Sequence, residues 1–344
     1  MSEILAANGD ALKGADVPFA FRKYSPEQLR EVLYKMYLIR LFEEGAEESY
    51  TRGLIHGTMH LSIGQEASAL GSCLPLTDED YITSTHRGHG HCIAKGADVG
   101  RMFAEFYGKT DGYCRGRGGS MHIADVSKGN LGANGIVGGG IPIAVGAALS
   151  AKKRRSGQVV ISFFGDGANN EGAFHEALNM ASIWRLPVVF VCENNKYGMS
   201  TSTERSTAVA NIADRASAYA MPGVIVDGNI LSDVAEASDA AVERARAGEG
   251  PTLIEAKTYR HRGHSKSDRN RYRTREEIDD WKQNRDPIVL FEGEMKTHGL
   301  IDEDGIAAIR GKAEAEIAAG IEFAKASPAP ETRNLERYVY TEAR

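Results

Sequence analysis

Residues 158–198, QVVISFFGDGANNEGAFHEALNMASIWRLPVVFVCENNKYG, read as strand, glycine turn, helix and second strand, with polar groups closing both strands. Residues 159–164 are a β-branched and aromatic run interrupted only by Ser162, the composition of a strand covered on both faces. Gly165-Asp166-Gly167 ends it. From 171 to 185 the apolar residues Phe174, Leu178, Ala181 and Trp184 recur at helical spacing, and Pro187 precedes a second buried strand over 188–191. This is a βαβ unit, whose crossover geometry brings the carboxyl ends of both strands to one rim of a parallel sheet, where open α/β folds bind ligands. Asp166 and Asn194-Asn195 arrive together there.

A carboxylate and a side-chain amide are hard oxygen donors, suited to Mg²⁺, which takes few protein ligands and completes its shell with water and phosphate oxygens. The site therefore asks for a diphosphate. The glycines flanking Asp166 let backbone approach such a group, and the following helix is expected to offer it N-terminal N–H groups. The plain alternative is an Asp-Gly turn beside a polar loop. A metal-free Rossmann site fits less well, because the third glycine of its fingerprint falls on Asn170 and Asp166 sets a negative charge where pyrophosphate must lie.

With 344 residues, 42% hydrophobic and 26% charged, the chain has the composition of one large or two smaller globular domains. A net charge of −6 gives no reason to expect nucleic-acid or membrane binding. Cys73, Cys92, Cys114 and Cys192 have no C-x-x-C spacing and read as reduced thiols. The start MSEILAANGDALKG lacks the basic and apolar regions of a secretory signal, and no apolar run is long enough to span a membrane. A bacterial cytoplasm is the expected location.

Residues 1–24 read as a loose arm. Ser25-Pro26-Glu27-Gln28 opens a helix with a capping box, and Leu29, Val32, Leu33, Met36, Ile39 and Leu41 continue its apolar face to about Gly53. IHGTMHLSIGQEA (55–67) and STHRGHGH (84–91) contribute His56, His60, Glu66, His86, His89 and His91, a set rich enough for zinc but without a helical H-E-x-x-H frame. GRGGSMH (116–122) and GANGIVGGGIPIAVGAAL (132–149) are glycine-rich, the first readable as a linker and the second running into a helix with small residues. Alternation of strand and helix continues through 223–228, 231–247 and 251–259. Arg260, Arg262, Lys266, Arg269, Arg271, Arg273 and Arg275 then read as a solvated loop with too little apolar surface to order itself. Within it His264, Ser265 and Asp268 lack the strand-turn-helix setting of a hydrolase nucleophile. Thr274 and Glu277 form a capping box for the next helix, Asp286-Pro287 stops it, and 305–326 is an alanine-rich helix assigned to the periphery.

GDG, 26 intervening residues and NN resemble the signature of thiamine diphosphate enzymes. From about residue 24 to 287 the chain resembles the alpha subunit of the thiamine diphosphate component of 2-oxo acid dehydrogenase complexes. Segments 55–67, 84–96 and 116–125 look closest to acetoin dehydrogenase alpha subunits, with pyruvate dehydrogenase alpha subunits near relatives. The resemblance implies a thiamine diphosphate-binding α/β fold: a mainly parallel sheet covered by helices on both faces over 25–287, an N-terminal arm (1–24) and a C-terminal helical extension and tail (288–344). It implies Asp166, the Asn195 side chain and the Tyr197 carbonyl as Mg²⁺ ligands. Arg87, with His86 where many relatives have Tyr, is implied at the diphosphate, together with Gly165, Gly167 and Ala168. Gly135 and Val137 are implied at the aminopyrimidine ring. His264, on a loop over the site's mouth, is implied at the diphosphate and as the catalytic histidine. The implied activity cleaves acetoin to acetaldehyde, or decarboxylates pyruvate, leaving a hydroxyethyl unit on the cofactor for a lipoyl-bearing acyltransferase. The glutamate that activates the cofactor belongs, by the same resemblance, to a beta subunit in a heterotetramer of two alpha and two beta chains. Glu171 and Glu193 then have structural roles.

Overall fold

The computed structural model describes residues 17–334, 336, 337 and 339. A short helix α1 (Phe19–Lys23) precedes α2 (Pro26–Thr51), where both halves of the capping box are made: Ser25 Oγ accepts from Gln28 N–H and Gln28 Oε1 accepts from Ser25 N–H. Then follow α3 (Glu66–Cys73), β1 (Tyr81–Thr85), α4 (His89–Ala94), α5 (Val99–Phe106), β2 (Asn130–Asn134) and α6 (Gly140–Arg154). The decisive stretch forms β3 (Val160–Gly165), α7 (Gly172–Ile183) and β4 (Val188–Asn194). After it come a two-stranded ribbon of β5 (Tyr197–Gly198) and β6 (Thr201–Ser202), then α8 (Thr203–Ser206), β7 (Gly223–Asp227), α9 (Leu231–Arg246), β8 (Thr252–Lys257), α10 (Arg275–Asn284), α11 (Pro287–Thr297) and α12 (Glu303–Ala326).

The main sheet has the order β2-β1-β3-β4-β8-β7 with every pairing parallel. Alternation along the central strands explains their unbroken apolar reading. Ile161, Phe163, Val189 and Val191 join the core on one face with α2, α3, α5 and α9, while Val160, Phe164, Val188 and Phe190 join the other with α6 and α7. Each such side chain contributes about 1.5–3 kcal/mol by leaving water. The chain steps from β1 outward to β2, then returns to β3 on the other side of β1, so the order reverses between β1 and β3. Ligand crevices of parallel sheets open at such a reversal.

Two expectations change and a third is extended. Of the expected loose arm, residues 1–16 lie outside the described ones, but Phe21 and Tyr24 are buried in the main core. The C-terminal segment is no periphery: Phe291, Met295, Ala313 and Ile317 sit in the same core as Val32 and Met36, and α12 packs along α2 and α5. Asp286-Pro287 ends one helix and starts another, since Asp286 caps α11 by accepting from Ile288 N–H. Among the described residues no helix is long and apolar enough to cross a membrane, and the four cysteines are free.

Candidate active site

A cavity of about 320 Å³ opens at the carboxyl ends of β1, β2, β3 and β4. His86, Arg87, Gly135, Val137, Gly165, Asp166, Gly167, Ala168, Asn195, Tyr197 and His264 all line it, so the structure brings together every residue the sequence proposed for the site.

Pairing of β3 with β4 in register, Gly165 beside Glu193, fixes Asp166 next to the Asn194-Asn195 corner. Asp166 is 3% exposed, and burial raises its carboxyl to about 6. A 3-10 turn, Asp166–Asn170, separates it from α7, so the expected direct presentation of the helix N-terminus does not occur and turn backbone faces the cavity instead. The two asparagines divide their work. Asn194 Nδ2 donates to Glu255 Oε1 at 2.8 Å and its Oδ1 accepts from Lys196 N–H, folding Lys196 into the left-handed region at φ 73 and turning Tyr197 back toward the site. Asn195 Nδ2 donates to Gln65 Oε1 at 2.9 Å, which leaves its Oδ1 facing inward. Arg260, 1% exposed, then donates through Nη1 to both Tyr197 O (2.7 Å) and Asn195 Oδ1 (3.3 Å). Each of these oxygens keeps a second lone pair. Asp166, Asn195 and Tyr197 thus present three hard oxygens around one corner, the donor chemistry that Mg²⁺ takes.

Beyond that corner the cavity is basic. Arg87, 5% exposed, donates to Leu61 O (2.5 Å) and His264 O (2.9 Å), and burial with nearby Arg260 lowers its guanidinium to about 9, still charged at neutral pH. Burial, and next to it the Arg87 charge, lowers His60 to about 3, His86 to about 2 and His264 to about 4, so all three are neutral imidazoles. Arg87 and Arg260 against Asp166, with the second carboxylate, Glu193, engaged elsewhere, favour an anionic guest held by charge-assisted hydrogen bonds. Glu193 is not free to act: Ser68 donates to its Oε1 at 2.5 Å and His91 Nε2 lies 3.2 Å from its Oε2.

The glycine-rich segments are scaffolding rather than linker. Buried Glu105 of α5 accepts from the N–H groups of Cys114 (2.7 Å), Gly116 (2.9 Å), Gly118 (2.7 Å) and Gly119 (3.0 Å). Gly116 turns at φ +74, and a Cβ there would meet the Gly108 carbonyl carbon at 2.4 Å. This clasp carries Met121 to the cavity and His122 against Gly135. Glu105→Ala is therefore expected to leave four N–H donors without their acceptor and cost at least about 3 kcal/mol, measurable as a lowered thermal midpoint of the purified protein.

Sequence reasoning missed Arg260 as a site residue, named His60 only as a zinc candidate, and misread the loop. Arg262 (3.0 Å) and Lys266 (2.9 Å) both pair with Glu47, while Asp268 accepts from His264 N–H, Asn270 N–H and Tyr272 O–H. Arg273 is buried and donates to Arg260 O and Arg262 O, leaving Arg269, Arg271 and Arg275 as the exposed charges. The loop is pinned by ion pairs to Glu47 of α2 and, within itself, by the hydrogen bonds of Asp268. Thr274 caps α10, but Glu277 does not return the bond; its carboxylate accepts from Tyr197 and Tyr259 hydroxyls. Ser265 Oγ pairs with Ser267 Oγ, so no hydrolase triad forms. The sequence's zinc candidates divide: His60 and His86 meet in the cavity, and the other four do not join them. His89 bonds Glu43 and Ser120, His91 bonds Ser84 and Glu193, Glu66 pairs with Arg40, and His56 is exposed.

A family model described as "Dehydrogenase E1 component" matches residues 34–333. The alpha subunit of acetoin:2,6-dichlorophenolindophenol oxidoreductase from Bacillus subtilis is 49% identical over 306 residues, 89% of this chain and 91% of that protein. Its counterpart from Cupriavidus necator is 48% identical over 314 residues, 91% and 94% of the two chains. The pyruvate dehydrogenase E1 component subunit alpha of Zymomonas mobilis is 38% identical over 330 residues, 95% and 93%.

Proposed function

The chain belongs to the dehydrogenase E1 component family, and from that premise we propose that it is the alpha subunit of a thiamine diphosphate- and Mg²⁺-dependent acetoin dehydrogenase. It works with a beta subunit, two of each, and delivers its two-carbon product to a lipoyl-bearing acyltransferase. The observation that carries this reading is the convergence of Asp166, Asn195 Oδ1 and Tyr197 O beside Arg87 and His264 in one cavity. Free cysteines suit the cytoplasm, where we place it.

When bound, thiamine diphosphate supplies the carbon nucleophile that attacks a carbonyl and stabilises the charge left by cleavage of the adjacent bond. This chain's residues do the holding. Asp166, Asn195 and the Tyr197 carbonyl ligate Mg²⁺; Arg87, His86 and His264 grip the diphosphate, and the backbone at Gly165, Gly167 and Ala168 lies against it. Gly135 and Val137 flank the aminopyrimidine. His264, neutral and with Nδ1 buried without a partner, is assigned the handling of a proton.

Arg260 is a positioning residue in this scheme, because it orients two ligand oxygens without touching the ion. Outer-shell partners of this kind typically govern 10–100-fold in metal affinity. Arg260→Lys keeps the charge but loses the fork that holds Nη1 on Asn195 and Tyr197 while Nη2 bonds Met199 O and the Tyr272 hydroxyl, and is expected to weaken Mg²⁺ binding about 10-fold or more in a cofactor-saturated titration. The acyl donor is tested by dye reduction with the alpha–beta assembly. Acetoin is expected to give the higher kcat/KM; a preference for pyruvate reassigns the chain to pyruvate dehydrogenase.

A further inference from the structure

Three histidines from distant parts of the chain meet inside the cavity: His60 from the loop before α3, His86 from the turn after β1, and His264 from the loop after β8. Their ligand nitrogens all lie within 4.8 Å of one another, with ring centroids 4.6 Å (His60 to His86), 4.9 Å (His60 to His264) and 5.7 Å (His86 to His264) apart. Nδ1 of His60 and Nδ1 of His264 are buried without any hydrogen-bond partner. An unpaired buried polar atom costs about 1–3 kcal/mol, so both atoms are poised for a guest. We propose that His60, His86 and His264 form a binding site for a divalent d-block ion, Zn²⁺ or Co²⁺, that is open only when no diphosphate fills the cavity.

Donor chemistry separates this site from the oxygen corner. Asp166, Asn195 and Tyr197 offer oxygens, which suit Mg²⁺; three imidazoles suit zinc and its neighbours and hold Mg²⁺ poorly. Zn–N bonds of roughly 2.0–2.1 Å need the nitrogens about 3.4 Å apart, so the rings must draw together modestly from the 4.8 Å limit they now satisfy. The open cavity supplies water for the fourth position, as in three-ligand zinc sites. Arg87 and Arg260 oppose a cation here; Asp166, the cavity carboxylate that Ser68 and His91 do not engage, offsets part of their charge, and Arg87 is already committed to the Leu61 and His264 carbonyls. The imidazoles are also in their neutral, ligating form.

Mutual exclusion rests on the proposed diphosphate reading, since His86 and His264 serve both guests. The test is titration of the cofactor-free alpha–beta assembly with Co²⁺ alone, following the visible bands of a tetrahedral nitrogen-rich site. One Co²⁺ per copy of this chain is expected, displaced by Zn²⁺, with affinity lowered on the order of 100-fold in His86→Tyr and in His60→Asn, each of which removes one of three ligands. Absence of the bands, or bands unchanged in both variants, overturns the site. Saturating thiamine diphosphate with Mg²⁺ is expected to expel the cobalt. Cobalt that depends on His60 and His86 yet stays bound supports the histidine site and overturns the placement of the diphosphate against it.

Discussion

Asp166→Ala is expected to weaken Mg²⁺-dependent binding of thiamine diphosphate by at least about 100-fold, because it removes the charged member of the proposed three-oxygen ligand set. Without that carboxylate the proposed ion site keeps one amide and one carbonyl oxygen, and the charge of the diphosphate falls on Arg87 and Arg260. The fold is expected to survive. Burial raises the Asp166 carboxyl to about 6, so its ionised form is a cost to the protein without a cation rather than a support. Calorimetric titration of the variant assembly, with a thermal melt beside it, checks both halves. Wild-type affinity in the variant removes Asp166 from the metal site, and a collapsed melt makes its role structural.

The second large effect is the loss of turnover in this chain without its partner. Among the described residues lining the cavity the carboxylates are Asp166 and Glu193. The first is assigned to the metal, and the second has both oxygens engaged by Ser68 and His91. Burial works against ionisation of Glu193, but His91 and Ser68 outweigh it and hold the carboxyl below its usual range, which makes it a poor proton carrier. No carboxylate here is free to activate the cofactor's aminopyrimidine. The mouth is also uncovered: Ile136, Val137 and Met199 are 49–72% exposed around it, apolar surface that a second subunit would bury. Acetoin-dependent dye reduction is expected to fall by roughly 1,000-fold or more for the chain alone, in line with removal of an essential acid–base group. Robust turnover by the isolated chain contradicts the divided site.

How much of this was legible follows from where each residue's partners lie. The βαβ unit was readable because strands covered on both faces carry one unbroken apolar run. β1 and β2 were not, because YITST and NLGAN are polar strings whose hydroxyls and amides are satisfied sideways, as when Thr83 Oγ1 meets Ser162 Oγ at 3.1 Å. Asp166 and Asn195 could be placed because consecutive parallel strands end on one rim. Arg260 could not, since Asn195 and Tyr197 lie 65 and 63 residues away. Glu105 could not, because its four N–H donors, 9–14 residues on, sit in glycine-rich sequence that reads as linker, and His60 reads only as a zinc candidate. Arg260 reads as one of a run of loop cations, yet it is 1% exposed and its Nη1 donates to the two neutral oxygens of the proposed metal corner. Composition records charge but not burial. For the same reason the loop 262–273 reads as loose until Glu47, some 215 residues earlier, is seen to pair with Arg262.

The most direct measurement is a calorimetric titration of thiamine diphosphate into the cofactor-free alpha–beta assembly, run once with Mg²⁺ and once with EDTA. The proposed half-site predicts one cofactor per copy of this chain, tight with Mg²⁺ and at least about 100-fold weaker without it. Binding that ignores the metal, or no binding in either case, contradicts it.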